Sequence, residues 1–289
     1  MSGIAIALAL AAAVVHAAWN IIAHDVSRAG AAFLWWGAVA STVIWAGVIP
    51  FTGGLGTDDL AEIALGIGVS GVLHVIYMTV LQRGYRAGNL STVYATARGT
   101  GPFLSVIIAM LLLGERLELA ALAGVLLVIA GVVAIGLVDR RPSSERTGLD
   151  PAIVFGLLTG AAIAAYTIWD AFALRNWHLS PVAFMVGTAA AEIPFFTVAV
   201  SVGRGWHAVG ALWKVQWRRI LAFGLLSPLA YILVLQAITM APVALIAPLR
   251  EVSVVLVSLF GAFVLRESRP AWRVAASVVV VAGVVLIAV

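Results

Sequence analysis

Ten long apolar segments, separated by charged residues, glycines and prolines, limit what this chain can fold into. They cover residues 4–23, 31–52, 61–82, 90–113, 119–138, 152–174, 181–203, 218–237, 244–265 and 270–289. An α-helix of about 20 apolar residues crosses the hydrocarbon core of a bilayer. The segments are longer than membrane β-strands and lack the alternation of a barrel strand. The sequence therefore predicts an all-α integral membrane protein with ten transmembrane helices.

The composition supports a bilayer as the solvent of this chain. Hydrophobic residues make up 63% of its 289 residues and charged residues only 10%, whereas soluble domains are about one-quarter charged. The chain has no cysteine, which excludes disulfides and thiol chemistry. The net charge of +4 is small and lies in the connections, so we expect contact with membrane lipid and no nucleic-acid partner.

The basic residues predict an orientation, because cytoplasmic loops are enriched in Lys and Arg. One set of alternate connections has only Arg116 and Arg175, while Arg98 and Arg250 lie inside segments. The other set has thirteen basic residues: Arg28, Arg83, Arg86, Arg140, Arg141, Arg146, Arg204, Lys214, Arg218, Arg219, Arg266, Arg269 and Arg273. This count predicts a multi-pass protein of the cytoplasmic membrane with both termini outside.

The two halves of the chain resemble each other. Residues 1–138 and 152–289 each hold five segments, and residues 139–151 connect them. The polar matches are the informative ones: Gln82 with Gln236, Arg98 with Arg250, and Glu115 with Glu267. Because five is odd, the two units must lie in opposite orientations. Inverted repeats of this kind surround a central cavity in transporters.

Polar and aromatic residues inside the segments are candidate substrate contacts, because an ionisable residue at membrane depth is costly and therefore functional by default. Several share one helical face: His16, Trp19 and Asn20 have a spacing that Tyr166, Trp169 and Asp170 repeat. The full set is His16, Trp19, Asn20, His74, Tyr77, Tyr94, Arg98, Tyr166, Trp169, Asp170, Glu192, Arg250 and Glu251.

The arginine-bearing segments also contain helix-weakening residues. Gly99, Gly101 and Pro102 follow Arg98, and Pro248 precedes Arg250. Interruptions at matching positions of two halves point to a binding site. Each half also places an Arg and an Asn or Asp at a similar depth, which suggests polar contacts toward both mouths and an outer gate between Asp170 and Arg250.

Structural roles are the alternative for each of these residues. Glu192 and Asp170 would then neutralise the two buried arginines, Trp19 and Trp169 would anchor the helices at the membrane interface, and the histidines would only pack. Glu115 and Glu267 are interpreted as structural, because each precedes the next helix and a carboxylate stabilises a helix N-terminus.

The chain resembles the drug/metabolite transporter superfamily, EamA type. The resemblance rests on the duplicated five-segment layout, on Gly114-Glu115 after the fourth segment, and on Gly124 and the stretch 130–132 in the fifth. The stretch 16–20, HAAWN, is similar to the first helix of some bacterial members, whereas Arg266 stands where the first half has Gly114. The resemblance implies helices 1–4 and 6–9 around a cavity, helices 5 and 10 outside, and alternating access without ATP. It also implies cytoplasmic termini, which opposes the orientation given by the basic residues.

The favoured function is export of aromatic or neutral amino acids, as in YddG-like exporters. A zwitterion offers a carboxylate to Arg98 or Arg250 and an ammonium group to Glu192 or Asp170, while aromatic residues would hold its side chain. The runner-up is a multidrug exporter of organic cations. An intramembrane enzyme using His16 or His74 is disfavoured because no HExxH or GxSxG motif is present. A membrane scaffold lacks the loops to recruit partners. No cofactor is expected, and a monomer already holds both repeats.

Overall fold

A computed structural model describes residues 2–23, 26, 29–87, 90–138, 150–264, 266 and 269–288. Several residues named above lie outside the described residues: Arg28, most of the 139–151 connection with Arg140, Arg141 and Arg146, and Glu267. The helices are α1 Gly3–Ala23, α2 Ala31–Ala46, α3 Leu60–Ala87, α4 Leu90–Leu112, α5 Leu119–Leu137, α6 Pro151–Asn176, α7 Pro181–Val202, α8 Trp206–Met240, α9 Val243–Arg250, α10 Val252–Phe263 and α11 Pro270–Ala288.

The described part of the chain confirms the all-α membrane fold. It has nine apolar helical segments of spanning length, with α9 and α10 counted as one, and the shorter apolar helix α2 makes ten. The predicted second segment is too long at its end, because the helix stops at Ala46 and a single turn of 3-10 helix, Ile49–Phe51, follows. Pro50 in that turn cannot continue an α-helix without losing a backbone hydrogen bond.

The predicted interruptions are present in one half and absent from the other. The helix breaks at Glu251, which lies in a turn between α9 and α10. In contrast, α4 runs without a break through Gly99, Gly101 and Pro102, so the predicted interruption there is wrong. Gly101 instead permits close packing, because a Cβ there would lie 2.9 Å from Cγ2 of Ile163 on α6.

The eighth segment begins earlier than predicted. α8 starts at Trp206 rather than near residue 218, and Gln216 has non-helical angles (φ −122°, ψ 15°) that divide it into two parts. In the sequence, the basic residues of this stretch are typical of a connection between membrane helices. Its apolar residues nevertheless pack on α2, where the side chain of Trp36 donates a hydrogen bond to the carbonyl of Val209.

The helix contacts follow the pseudo-twofold relation expected of two inverted repeats. In this relation α1–α4 correspond to α6–α8 and the broken helix α9–α10, and α5 corresponds to α11. Contacts come in matched pairs: α1 with α8 and α6 with α3, α2 with α8 and α7 with α3, α4 with α6 and α9–α10 with α1. The self-related pairs α2 with α7, α4 with α9, and α5 with α11 are also in contact.

The helices α5 and α11 pack on each other outside the other helices. A Cβ at Gly124 of α5 would lie 2.6 Å from the carbonyl oxygen of Gly283 of α11, so the two backbones meet closely there. Neither helix contributes a residue to the central cavity. We call the membrane face at which α1, α3 and α7 end the basic face, because the described residues Arg83, Arg86 and Arg204 lie there. The other is the opposite face.

Candidate functional site

A central cavity of about 240 Å³ lies between the two halves, and residues of α1–α4 and α6–α9 line it. It extends to the basic face, because Leu34 and Tyr85 in its wall lie close to the start of α2 and the end of α3. Ten of the thirteen candidate residues line this cavity: His16, Trp19, Asn20, His74, Tyr77, Tyr94, Arg98, Tyr166, Glu192 and Arg250. The other three, Trp169, Asp170 and Glu251, lie behind the wall.

Both membrane-embedded arginines converge on one carboxylate. The Glu251 carboxylate accepts hydrogen bonds from Arg98 Nη1 at 3.3 Å, and its Oε1 lies 3.6 Å from Arg250 Nε. All three side chains are buried, with Glu251 only 1% exposed. Glu251 directly follows Arg250 in the sequence and forms the turn between α9 and α10. Both residues therefore lie at the same turn, beside α4.

His16 completes this group on the α1 side. Arg98 Nη2 lies 2.8 Å from His16 Nε2, and a guanidinium can only donate, so His16 Nε2 accepts and the imidazole is neutral. Arg98 also lies over the Tyr94 ring, 5.2 Å from its centroid. One carboxylate facing two guanidinium groups leaves this wall of the cavity with one excess positive charge.

Glu192 places a carboxyl group on a different wall of the cavity. It lies on α7, which packs against α2, α3 and α8, whereas Arg250 on α9 is packed against α1, α4, α5, α6 and α8. Within the described residues, no hydrogen bond or ion pair engages the Glu192 carboxylate. The expected neutralisation of the arginines by Glu192 or Asp170 is therefore not what the structure shows, because Glu251 has that role.

An aromatic cluster forms the part of the wall nearest the basic face. The rings of Trp19 and Phe223 meet edge to face at 5.1 Å, and those of Phe33 and Phe223 lie 4.8 Å apart. Gly37 makes room for this arrangement, since a Cβ there would lie 2.7 Å from Phe223 Cε1. Trp19 Nε1 is buried without a hydrogen-bond partner among the described residues.

A second aromatic cluster closes the inner end of the cavity. The His74 ring stacks on Tyr166 at 4.2 Å, and Tyr77 and Tyr231 each meet Tyr166 edge to face. Tyr231 donates a hydrogen bond of 2.5 Å to Asp170 Oδ2. Asp170 thus lies behind Tyr231, and in the described part of the chain no ion pair joins it to Arg250, so the predicted gate between them is absent from this state.

Two other candidates, Asn20 and Trp169, each donate a hydrogen bond to a backbone carbonyl group. Asn20 donates to the backbone carbonyl of His16 in its own helix, and it does not bind Arg98. Trp169 donates from Nε1 to the carbonyl of Gly66 and packs against Phe172 and Trp177, away from the cavity. An interfacial role for Trp19 does not fit its place in the cavity wall.

Sequence reasoning missed several lining residues. Tyr231 was available from the repeat, where it is the counterpart of Tyr77, but it was not selected. Phe33, Phe196 and Phe223 gave no signal, because phenylalanines are common in every apolar segment and nothing in the sequence distinguishes a lining ring from a lipid-facing one.

Packed side chains and loop contacts separate the cavity from the opposite face. Leu174, Leu179, Phe184 and Leu235 form a buried apolar cluster there. The backbone N–H of Ser180 donates to the carbonyl of Leu55 at 3.0 Å, which joins the connection after α6 to the one after α2. The structure is therefore closed toward the opposite face.

Glu115 binds a helix other than the one expected. It accepts from the backbone N–H groups of Val243 and Ala244, at 2.8 and 2.9 Å, and so caps α9 rather than the following helix α5. Arg175 pairs with the same carboxylate at 2.7 Å and donates to the carbonyls of Ile238 and Ala241. The prediction of a helix N-terminal role was right, but the inverted packing of the halves selected a distant helix.

The described residues contain no group of three or more His, Asp or Glu side chains that would hold a metal ion.

Comparison with known proteins agrees with this architecture. Residues 150–289 match the EamA-like transporter family. The match covers the second half of the chain, which is similar to EamA-like transporter domains. This similarity agrees with the multi-pass helical fold.

Two individual proteins are also similar. A Bacillus atrophaeus protein named "Multidrug resistance protein EbrB" is 38% identical over 68 residues, which are 24% of this chain and 57% of that relative. The chain thus spans little more than half the length of this curated relative. One crystal structure superposes with a TM-score of 0.71 and 18% identity, covering 99% of this chain and 98% of the other. At that identity the likeness shows the fold alone.

Proposed function

We propose that this protein exports amino acids with aromatic or neutral side chains across the cytoplasmic membrane by alternating access. The observation that carries the proposal is the pair of complementary groups in the cavity: the Arg98–Glu251–Arg250 group has one excess positive charge, and the Glu192 carboxyl group on another wall has no hydrogen bond or ion pair among the described residues. A zwitterion would satisfy both.

The carboxylate of the substrate is assigned to Arg250. Arg98 already shares its guanidinium between Glu251 and His16. Among the described residues, Arg250 Nε has no hydrogen-bond partner and its one ion pair is 3.6 Å long. A guanidinium presents five N–H donors in a planar fork suited to a carboxylate. Glu251 holds the two arginines side by side and is a positioning residue.

The ammonium group of the substrate is assigned to Glu192. An unpaired carboxylate in an apolar cavity is costly, and binding a cation removes that cost. The aromatic cluster of Trp19, Phe33 and Phe223 would then receive the substrate side chain, with ring contacts that favour aromatic and large apolar residues.

Alternating access is supported by the inverted halves. The cavity extends to the basic face and is closed by packed side chains toward the other. Exchange of the conformations of the two halves would reverse this arrangement. Placing the basic face in the cytoplasm, as the Lys and Arg distribution predicts, makes this state the one that loads substrate from inside the cell.

The test is counterflow in proteoliposomes loaded with one unlabelled amino acid at a time. Labelled phenylalanine should accumulate with aromatic and neutral amino acids inside, and not in protein-free vesicles. Arg250→Gln and Glu192→Gln should abolish this flux, while Arg116→Gln and Glu118→Gln, which change exposed residues outside the cavity, should preserve it. Full flux in both cavity variants would disprove the zwitterion assignment.

Export of organic cations is a second candidate, favoured by the similarity to the protein named as a multidrug resistance protein. Such a substrate would need Glu192 and the aromatic cluster but not the arginines. This candidate would be supported over the amino-acid one by two results. The flux of an aromatic cation should require Glu192 and be unchanged in Arg250→Gln, and amino-acid counterflow should be absent.

A further inference from the structure

The first part of α8 extends beyond the length needed to cross the membrane. α8 has 35 residues, about 52 Å at 1.5 Å per residue, while the hydrocarbon core is only about 30 Å thick. The non-helical Gln216 separates residues 206–215 from residues 217–240. The second part, about 36 Å long, is sufficient to span the bilayer. Residues 206–215 are therefore available for another role.

Contacts place this first part across the ends of α2 and α7 at the basic face. The Trp213 ring stacks on Trp36 at 4.4 Å, and the Trp206 ring meets Trp35 at 5.5 Å. Trp206 Nε1 also donates to Ser201 Oγ near the end of α7. Trp35 and Trp36 are adjacent in α2, so residues 206–213 pass α2 at one level instead of running along it. This is the geometry of a helix lying in the membrane interface.

The exposed side of the same stretch is basic. Arg204, His207, Lys214 and Arg218 are exposed, and no Asp or Glu occurs between Glu192 and Glu251 to neutralise them. Apolar groups lie among these cations: Val215 is 75% exposed and Trp217 44% exposed, with the Arg218 guanidinium 5.3 Å from the Trp217 ring centroid. Cations beside Trp side chains suit the boundary between lipid headgroups and acyl chains.

We propose that the surface formed by Arg204, Lys214, Trp217 and Arg218 binds the headgroup of an anionic phospholipid in the leaflet at the basic face. The charge complementarity and the aromatic residues at the same level favour a lipid over a soluble anion, which would gain nothing from Val215 and Trp217. This inference is independent of the transported substrate.

The lipid would act on the cavity through α8 itself. Beyond the kink, the same helix carries Phe223 and Tyr231 in the cavity wall. A lipid that fixes residues 206–218 at the interface therefore restrains the helix that contributes one ring to each aromatic cluster. Anionic lipid should raise the thermal stability of the purified protein, and the increase should depend on this surface.

The test uses two kinds of nanodisc, one of phosphatidylglycerol mixed with phosphatidylcholine and one of phosphatidylcholine alone. In each, native mass spectrometry measures the lipid that the protein retains, and thermal unfolding measures its stability. Lys214→Gln/Arg218→Gln should bind phosphatidylglycerol more weakly by about fivefold per charge removed and lose the stabilisation. The charge-preserving Lys214→Arg/Arg218→Lys should retain both. The matched control is Arg83→Gln/Arg86→Gln, which removes two exposed charges of the same face at the end of α3.

Three results would overturn the proposal. The first is unchanged phosphatidylglycerol binding in Lys214→Gln/Arg218→Gln. The second is an equal loss in the Arg83→Gln/Arg86→Gln control, which would make the effect one of general face charge. The third is equal stabilisation by inorganic phosphate at matched ionic strength, which would make the surface a site for soluble anions.

Discussion

Arg175 Nη1 lies 2.7 Å from Glu115 Oε1, and this ion pair joins the ends of four helices at the opposite face. The Glu115 carboxylate caps the N-terminus of α9, while Arg175, on α6, binds carbonyls at the end of α8. Glu115 itself follows α4. The ion pair thus connects the two halves at the face where the cavity is closed.

Breaking this ion pair should destabilise the closed state. We expect Glu115→Gln to lower the free energy of unfolding by about 0.3–2 kcal/mol, because the charge at the N-terminus of α9 is lost. Thermal unfolding of Glu115→Gln, Arg175→Gln and the double variant gives the coupling between them. Strictly additive effects would show that the two side chains stabilise the protein separately.

Removing the shared carboxylate should be more harmful than removing an arginine. Glu251→Gln leaves two buried guanidinium groups without their counter-ion, and breaking a buried ion pair costs about 3–5 kcal/mol. Adding Arg98→Gln to Glu251→Gln should restore part of the stability, because the remaining charge is reduced to Arg250. The measurement is thermal unfolding in detergent. A double variant less stable than Glu251→Gln alone would contradict the assignment of Glu251 as the counter-ion of both.

A methyl group at Gly37 should reshape the aromatic cluster. Its Cβ would lie 2.7 Å from the Phe223 ring, so Gly37→Ala should push the ring and raise the KM for phenylalanine severalfold with little change in the level of folded protein. Gly68→Ala is the control, because a Cβ at Gly68 of α3 meets nothing within 4 Å. Equal KM values in the two variants would show that Phe223 does not shape the substrate site.

The single lysine of the chain provides a test of orientation. Lys214 is exposed at the basic face, so a membrane-impermeant amine reagent should modify it in inside-out vesicles and not in intact spheroplasts. Peptide mass spectrometry separates Lys214 from the amino terminus, whose modification should show the reverse pattern. Labelling of Lys214 in spheroplasts would place the basic face outside and the termini in the cytoplasm, as the family resemblance implies.

Much of the fold followed from the sequence because it depends on properties of single segments. Apolar length predicted the spans, and the matches of Gln82, Arg98 and Glu115 with residues of the second half predicted the repeat. The start of α8 at Trp206 was missed, because its basic residues hide an apolar face that only packing on Trp35 and Trp36 reveals. The continuity of α4 was missed because Gly101 serves close packing, which has the same sequence signature as a helix break.

The candidate site also depends partly on the sequence alone and partly on the tertiary structure. The sequence by itself determined which residues carry charge into the membrane, since burial of Arg98, Glu192 or Arg250 in lipid without a purpose is too costly. Only the tertiary structure decided their partners: Glu251 for both arginines, Tyr231 for Asp170, and α9 for Glu115. These choices depend on which helices of two oppositely oriented halves meet and at what depth, and spacing along one helix does not encode the distance to another.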